Sequence, residues 1–436
     1  MESPASPSWE PYFWNFEEEC LPISKLRARQ AEAWEKCLEQ VLKTPFYQKK
    51  LKQFHPSQNI LQHIEDIPFT TKQDLRDHYP YGLLQVPLEK IVETHASSGS
   101  SGQATLVAYS KQDLEIWTDL IARGLTASGI RPGQIIHNAY GYGLFTGGLG
   151  FQYGAQRIGA IVNPISNTEL EKQIRLIQEL GSQVLLCTPS CAMSLAATAL
   201  KMGLKPHQLG LKVGIFGGES YTPEFQRKLE EIWNIKAWNT YGLSEIIGPG
   251  VAYECPHGEG IHLNEDHFYP EVVDFATGQS LSEDRMGELV LSAITKEAMP
   301  LLRYRTGDRV KISYAPCSCG RKLARLTEIG GRFQDYFSIG FKKFHPYEIE
   351  RILFKNKEVG GNYQIEVSKN ANQALTIKVE LMPGLSTQAF ECYFQETENK
   401  ITEDLHHYGI ESFTLDWRAF GELPLYLGKA KRVLFK

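Results

Sequence analysis

Eleven residues, His95 to Thr105 (HASSGSSGQAT), bring five hydroxyl side chains and two glycines into one short run. Glycine lets backbone amides come close to an anion, and serine or threonine hydroxyls add donors, so such a loop suits the wrapping of a polyphosphate. It is not the common NTPase phosphate loop, because Gln103 rather than lysine follows Gly102. A flexible Ser/Gly linker would share the composition. A second group is Cys317-Ser318-Cys319-Gly320, a tight pair of thiols of the kind zinc favours. Cys255 with either His257 or His262 would complete a four-ligand set. Four protein ligands close a zinc site to water and make it structural rather than catalytic.

Such residues need elements to hold them. From about residue 115, helical segments alternate with short apolar ones: IWTDLIARGLTASGI with QIIHNAY, GGLGFQYGAQRIG with AIVNPIS, ELEKQIRLIQELG with QVLLCTP, CAMSLAATALKMG with KVGIFGG, and PEFQRKLEEIWN with KAWNTYG. The alternation predicts a parallel sheet covered on both faces, with ligands beyond the carboxyl ends of its strands. Gly217-Gly218-Glu219 and Tyr241-Gly242-Leu243 fall at such ends. After about residue 265, GELVLSA and RVKISYA predict a mainly β section, and a break is expected near Gly330-Gly331-Arg332. The first ninety residues read as helical, with Pro45 interrupting Ser24 to Leu51. In the last hundred, Gln364 to Val367 and Leu375 to Leu381 alternate like half-buried strands. There a helix over Ala389 to Leu405 would carry Phe390, Tyr393, Phe394, Ile401 and Leu405 on one face.

The composition excludes several roles. A net charge of −5 offers no basic field for nucleic acid or an anionic membrane. No apolar run approaches a bilayer span. MESPASPSWEPYFW lacks the basic flank and apolar stretch of a secretory leader, so the cytoplasm is expected. The eight cysteines would remain reduced there. The oligomeric state stays open, a homodimer included.

Seven stretches in order carry a family likeness: PFTTKQDLRDHYP (68–80), the Ser/Gly loop, AYGYGLFTGGLG (139–150), YGLSEIIGPGVAYEC (241–255), NEDHFYPE (264–271), RYRTGD (303–308) and LGKAKRV (427–433). Together they resemble the adenylate-forming enzymes, most closely the phenylacetate–coenzyme A ligases. The resemblance implies an α/β fold: a large N-terminal domain (1–331) of parallel-sheet βα units plus a β section, and a small mobile α+β C-terminal lid (332–436). It implies an ATP-dependent ligase that activates an aromatic or arylacetic carboxylic acid as acyl-AMP and passes it to coenzyme A. Ser97, Ser98, Gly99, Ser100, Ser101 and Gly102 would cradle the phosphates. Gly218 and Glu219 would lie along adenine and the acid, and Tyr241 and Gly242 beside adenine. Ser244 would stand near the phosphate, and Glu245 would bind Mg²⁺. Asp308 and Arg332 would hold the ribose, and Lys429 would stabilise the adenylation transition state. Tyr140, Phe145, Gly147 and Gly218 would shape the acid pocket, the glycines leaving room for a ring. In relatives with the C-x-C-G turn the matching histidine stands seven residues after the cysteine, which implies His262 beside Cys255, Cys317 and Cys319 for zinc.

The chain departs from the family at three places. Gln103 stands where a lysine is usual, Gln334 where the hinge has an acid, and Gly340-Phe341 replaces Arg-Gly in the loop that helps form the thiol tunnel. Phe341 is expected to narrow that tunnel. The departures keep a rival in view, an adenylating enzyme that transfers to an amine or a carrier-protein thiol. A third reading is a nucleotide-binding sensor without catalysis. The joint presence of Glu245, Asp308, Arg332 and Lys429 argues against it.

Overall fold

The computed structural model describes residues 13–54, 60–97, 104–368, 375–385 and 395–436. Local signals set the element starts. Ser110 and Asp113 form a capping box at the head of helix Lys111–Ala127, and Thr71 and Asp74 do the same for Lys72–Asp77. Thr188 and Thr222 cap helices Pro189–Lys201 and Pro223–Trp233, each with proline at the first turn, where the missing N–H costs nothing. The predicted break at Pro45 is present: one helix ends at Val41 and the next begins at Pro45.

Among the described residues, eleven strands form one sheet. Its parallel half runs Ile161–Pro164, Ile135–Asn138, Val184–Cys187, Val213–Gly217, Lys236–Leu243. From Lys236–Leu243 it continues antiparallel through Gly248–Glu254, Ile261–Leu263, Arg325–Arg332, Tyr304–Ser313, Gly287–Ala293 and Phe268–Val273. The predicted βα units and β section are therefore halves of one sheet. The break expected at Gly330-Gly331-Arg332 lies slightly later. The strand runs through Arg332, which pairs with Asp308, and ends in a short 3-10 turn at Phe333–Asp335.

Beyond it comes a hairpin, Phe337–Ile339 with Lys342–Phe344, and then a second, mixed sheet ordered Phe413–Arg418, Leu375–Leu381, Val359–Val367, Val433–Phe435. Helices Pro346–Phe354 and Gln395–Tyr408 flank it. Ile401 and Leu405 are buried as the helical face predicts, while Phe390, Tyr393 and Phe394 lie outside the described residues.

Helix Pro189–Lys201 joins the two parts. It is apolar and small almost all round and buried through Ala199, which fits an element covered on both sides. One apolar cluster runs from Leu195, Phe225 and Trp233 in the first part to Phe354, Tyr363 and Ile401 in the second.

Candidate functional site

The carboxyl ends of the parallel strands carry the groups the sequence singled out. Strand Val213–Gly217 ends in Gly218, whose φ of +82° favours glycine. A Cβ there would touch Thr188 Cγ2 at 3.7 Å, Lys429 Cε at 3.9 Å and Tyr140 Cε1 at 3.9 Å. The fold thus gathers Lys429, Tyr140 and Thr188 around one backbone point. Thr188 Oγ1 donates to Gly428 O at 2.9 Å, holding the lid loop against the helix start.

Lys429 lies where the two parts meet, beside Gly218, and is exposed to solvent. The surrounding protein lowers its ammonium from the usual lysine value, with the Arg332 guanidinium adding to that, while Glu219, Asp308 and Glu245 pull it back up. Four sequence-predicted site residues therefore act on one ammonium. Asp308 is buried and receives Tyr241 Oη at 2.5 Å on one oxygen and Arg332 Nε at 3.0 Å on the other. That carboxylate holds the Arg332 guanidinium firmly protonated. Asp308 lies within a strand, beside Gly307 at φ +76°, rather than in a surface turn.

Glu245 is buried beside Thr105. Its Oε1 meets Lys72 Nζ at 3.1 Å and accepts from Thr105 Oγ1 at 3.3 Å. Burial, the largest single influence, would raise this carboxyl, but the Lys72 ammonium, a backbone amide and the Arg332 guanidinium together keep it below its ordinary value. Thr105 also closes the base of the loop: its Oγ1 is 2.6 Å from Ser97 Oγ, and its carbonyl accepts from Ser97 N at 2.9 Å. Ser98, Gly99, Ser100, Ser101 and Gly102 lie outside the described residues. Ser244 Oγ is 3.1 Å from Thr146 Oγ1. Within PFTTKQDLRDHYP, Lys72 is a lone lysine at the head of a capped helix, and nothing local in the sequence signals that it reaches Glu245.

Other groups serve differently than the sequence suggested. The space at Gly147 is filled by Tyr140, whose ring atoms would stand 3.2 to 3.4 Å from a Cβ. Gly148 is closed by Tyr142 at 2.7 Å and Gly141 O at 2.8 Å. The glycines therefore make room for the chain's own tyrosines. Tyr140 stacks on Phe151, centroids 5.0 Å apart, whereas Phe145 is exposed at the start of helix Thr146–Arg157. Gly242 is demanded by strand pairing, since a Cβ there would lie 2.0 Å from Gly248 O. The Glu219 carboxylate is engaged by protein amides, accepting from Ser190 N at 2.7 Å and Ala430 N at 3.0 Å. Phe341 is fully exposed at its hairpin tip.

A separate cluster stands beside the interior strands Gly248–Glu254 and Ile261–Leu263. One ligand atom from each of Cys255, His262, Cys317 and Cys319 lies within 4.8 Å of every other, and all four residues are buried. Cys319 Sγ is 3.3 Å from His262 Nε2 and Cys255 Sγ 3.7 Å from Cys317 Sγ. His262 Nδ1 faces Leu323 O at 3.4 Å, which leaves Nε2 for a ligand bond. Three thiols and one imidazole converging in this way fit the donor set of a tetrahedral zinc ion. His262, not His257, belongs to the cluster.

Residues 97–295 match the family model described as AMP-binding enzyme, and residues 342–436 the one described as AMP-binding enzyme C-terminal domain. The chain is 43% identical over 394 residues to a phenylacetate-coenzyme A ligase of Thermus thermophilus, covering 89% of this chain and 87% of that one. With a phenylacetate-coenzyme A ligase of Escherichia coli it shares 38% over 380 residues, 86% of each chain. Its fold is similar to that of a 2-hydroxyisobutyryl-CoA ligase at 24% identity, covering 100% of this chain and 94% of that one. The TM-score is 0.87 against that enzyme's postadenylation state. Against its thioesterification state, over the same shares and at the same identity, it is 0.71.

Proposed function

The chain belongs to the phenylacetate–coenzyme A ligase family, ATP-dependent and AMP-forming acid–thiol ligases, and from that premise we propose that its acid is an aromatic or arylacetic one and that Lys429 serves its adenylation step. The observation that carries the reading is the meeting of Lys429, Tyr140 and Thr188 around Gly218, in the field of Asp308, Arg332 and Glu245.

Activating a carboxylic acid requires a leaving group better than hydroxide, and ATP supplies one as the acyl-AMP. The chain's residues position and neutralise. Asp308, already oriented by Tyr241 and Arg332, offers its carboxylate to the ribose hydroxyls. Lys429 sets a positive charge where the carboxylate and the α-phosphate would meet. Ser97 to Gly102 supply hydroxyls and amides for the remaining phosphates, and Ser244 a further hydroxyl. Tyr140 and Gly218, which stand close together, would line the acid pocket, with Phe145 exposed near Gly141. Glu245, kept ionised by Lys72 beside the Thr105 hydroxyl, is the oxygen donor for Mg²⁺.

The sequence boundary is 331/332, and we propose to move it just past Arg332, because the large sheet runs through Arg332 and a separate sheet follows. The higher likeness to the relative's postadenylation state supports a lid docked for the first half-reaction. Zinc in the Cys255–His262–Cys317–Cys319 cluster is structural, and reduced thiols among the described residues fit the cytoplasm. The test is ATP–pyrophosphate exchange across aliphatic, aromatic and arylacetic acids. Exchange confined to aliphatic acids would refute the substrate class, and near-normal exchange by Lys429→Ala would refute the lysine assignment.

A further inference from the structure

Lys429 has its backbone pinned on both sides, and both pins come from the same place. The preceding carbonyl, Gly428 O, accepts from Thr188 Oγ1 at 2.9 Å, and the following amide, Ala430 N, donates to Glu219 Oε2 at 3.0 Å. The other Glu219 oxygen accepts from Ser190 N at 2.7 Å, in the first turn of helix Pro189–Lys201. That amide is one of the four a helix leaves without an internal partner. Thr188 already serves Cys191 N at 3.2 Å, so Glu219 and Thr188 divide the capping between them and each adds one bond to the lid. The same helix continues the docking. Ser194 Oγ accepts from Tyr426 N at 2.7 Å, Ser190 Oγ from Arg432 Nη2 at 3.2 Å, and Lys201 Nζ donates to Gly421 O at 2.8 Å.

We propose that Glu219 is a positioning residue for adenylation: its carboxylate bridges the helix start and the lid loop and so sets the register of Lys429 over Gly218. The inference rests on the assignment of Lys429 above. Glu219 acts through the lysine, and its contacts to the lid exist only while the lid is docked as seen here. The first half-reaction therefore depends on it and the second does not. Glutamine is nearly isosteric, but its amide group would turn an N–H toward one of the two amide donors, so it cannot make both bonds. Misplacing a catalytic group by about 1 Å costs on the order of 10²-fold in rate.

The experiment uses the full-length enzyme with phenylacetate, comparing Glu219→Gln, Glu219→Ala and Lys429→Ala in two assays. One is ATP–pyrophosphate exchange as a function of ATP. The other is thioester formation from synthetic phenylacetyl-AMP and coenzyme A. Exchange kcat should fall about 10-fold in Glu219→Gln and about 10²-fold in Glu219→Ala, with KM for ATP and thioester formation each within about threefold of wild type. Equal losses in both assays would make Glu219 merely structural. A raised KM for ATP with unchanged kcat would make it a nucleotide contact. Loss in Lys429→Ala with normal exchange in both Glu219 variants overturns the positioning role alone. Normal exchange by Lys429→Ala overturns the lysine assignment and the positioning role with it.

Discussion

At Asp308 two side chains already claim the two oxygens that a ribose would need. Tyr241 is buried and pushed far above the ordinary phenol value, by burial first and by Asp308 next, so it remains a donor at any working pH. Arg332 comes from the strand paired with that of Asp308 and is half exposed, which lets it turn toward a nucleotide. Asp308→Ala should raise the KM for ATP in pyrophosphate exchange with a smaller change in kcat. It should also lower stability, because a buried hydroxyl left without its partner costs about 1–3 kcal/mol. Denaturant midpoints and ATP titrations of the variant check both parts, and an unchanged ATP curve refutes the ribose role. None of this pairing was legible in RYRTGD, where Asp308 could equally have been a turn residue. The register between Tyr304–Ser313 and Arg325–Arg332 brings Asp308 and Arg332 together, and Tyr241 reaches them from strand Lys236–Leu243.

Two elements carry separable tasks. The Cys255–His262–Cys317–Cys319 cluster ties strands Gly248–Glu254 and Ile261–Leu263 to the turn ahead of Arg325–Arg332, away from the cleft. Stripping its metal with a chelator, or Cys317→Ser, should lower the melting temperature while phenylacetate-dependent exchange at low temperature persists. Metal analysis giving less than about one zinc per chain would reject the site. The hairpin Phe337–Ile339/Lys342–Phe344 has the opposite signature. Phe341 stands in solvent beside Gly340, at φ +59°, so Phe341→Gly should leave stability unchanged. It should alter thioester formation more than pyrophosphate exchange, and equal shifts in both would make the loop structural. The sequence showed this loop to be unusual, but the exposure of Phe341 depends on non-local packing, which no local pattern encodes.

At the scale of the whole molecule, one of the contacts that clasp the lid to the larger part is made by a buried acid. Glu350, on helix Pro346–Phe354, accepts from Thr222 N at 2.7 Å, and burial pushes its carboxyl up to about 7 despite the opposing Arg432. A carboxyl whose folded value exceeds its unfolded one holds its proton more tightly when folded. Its contribution is complete below about 4.5 and is lost as pH rises through about 7. Glu350→Gln should therefore match wild-type stability at pH 5 and exceed it at pH 8, as melting curves at the two values would show. A constant difference would contradict the linkage. The βα alternation was legible because helices and strands impose different apolar periods on the chain. The fusion of the β section into the same sheet was not, because pairing such as Arg325 with His262 is non-local. Gly147 and Gly148 show a related limit: a glycine declares room without saying which neighbour fills it.

The most direct test of the account follows the products of one reaction. Wild-type enzyme is given phenylacetate, ATP, Mg²⁺ and coenzyme A, and nucleotide and thioester are quantified together by mass spectrometry. The account predicts AMP and phenylacetyl-CoA in equal amounts, both requiring coenzyme A for sustained turnover. AMP released without any thioester, across every aromatic and arylacetic acid that supports pyrophosphate exchange, would contradict it and make an amine or a carrier-protein thiol the acceptor.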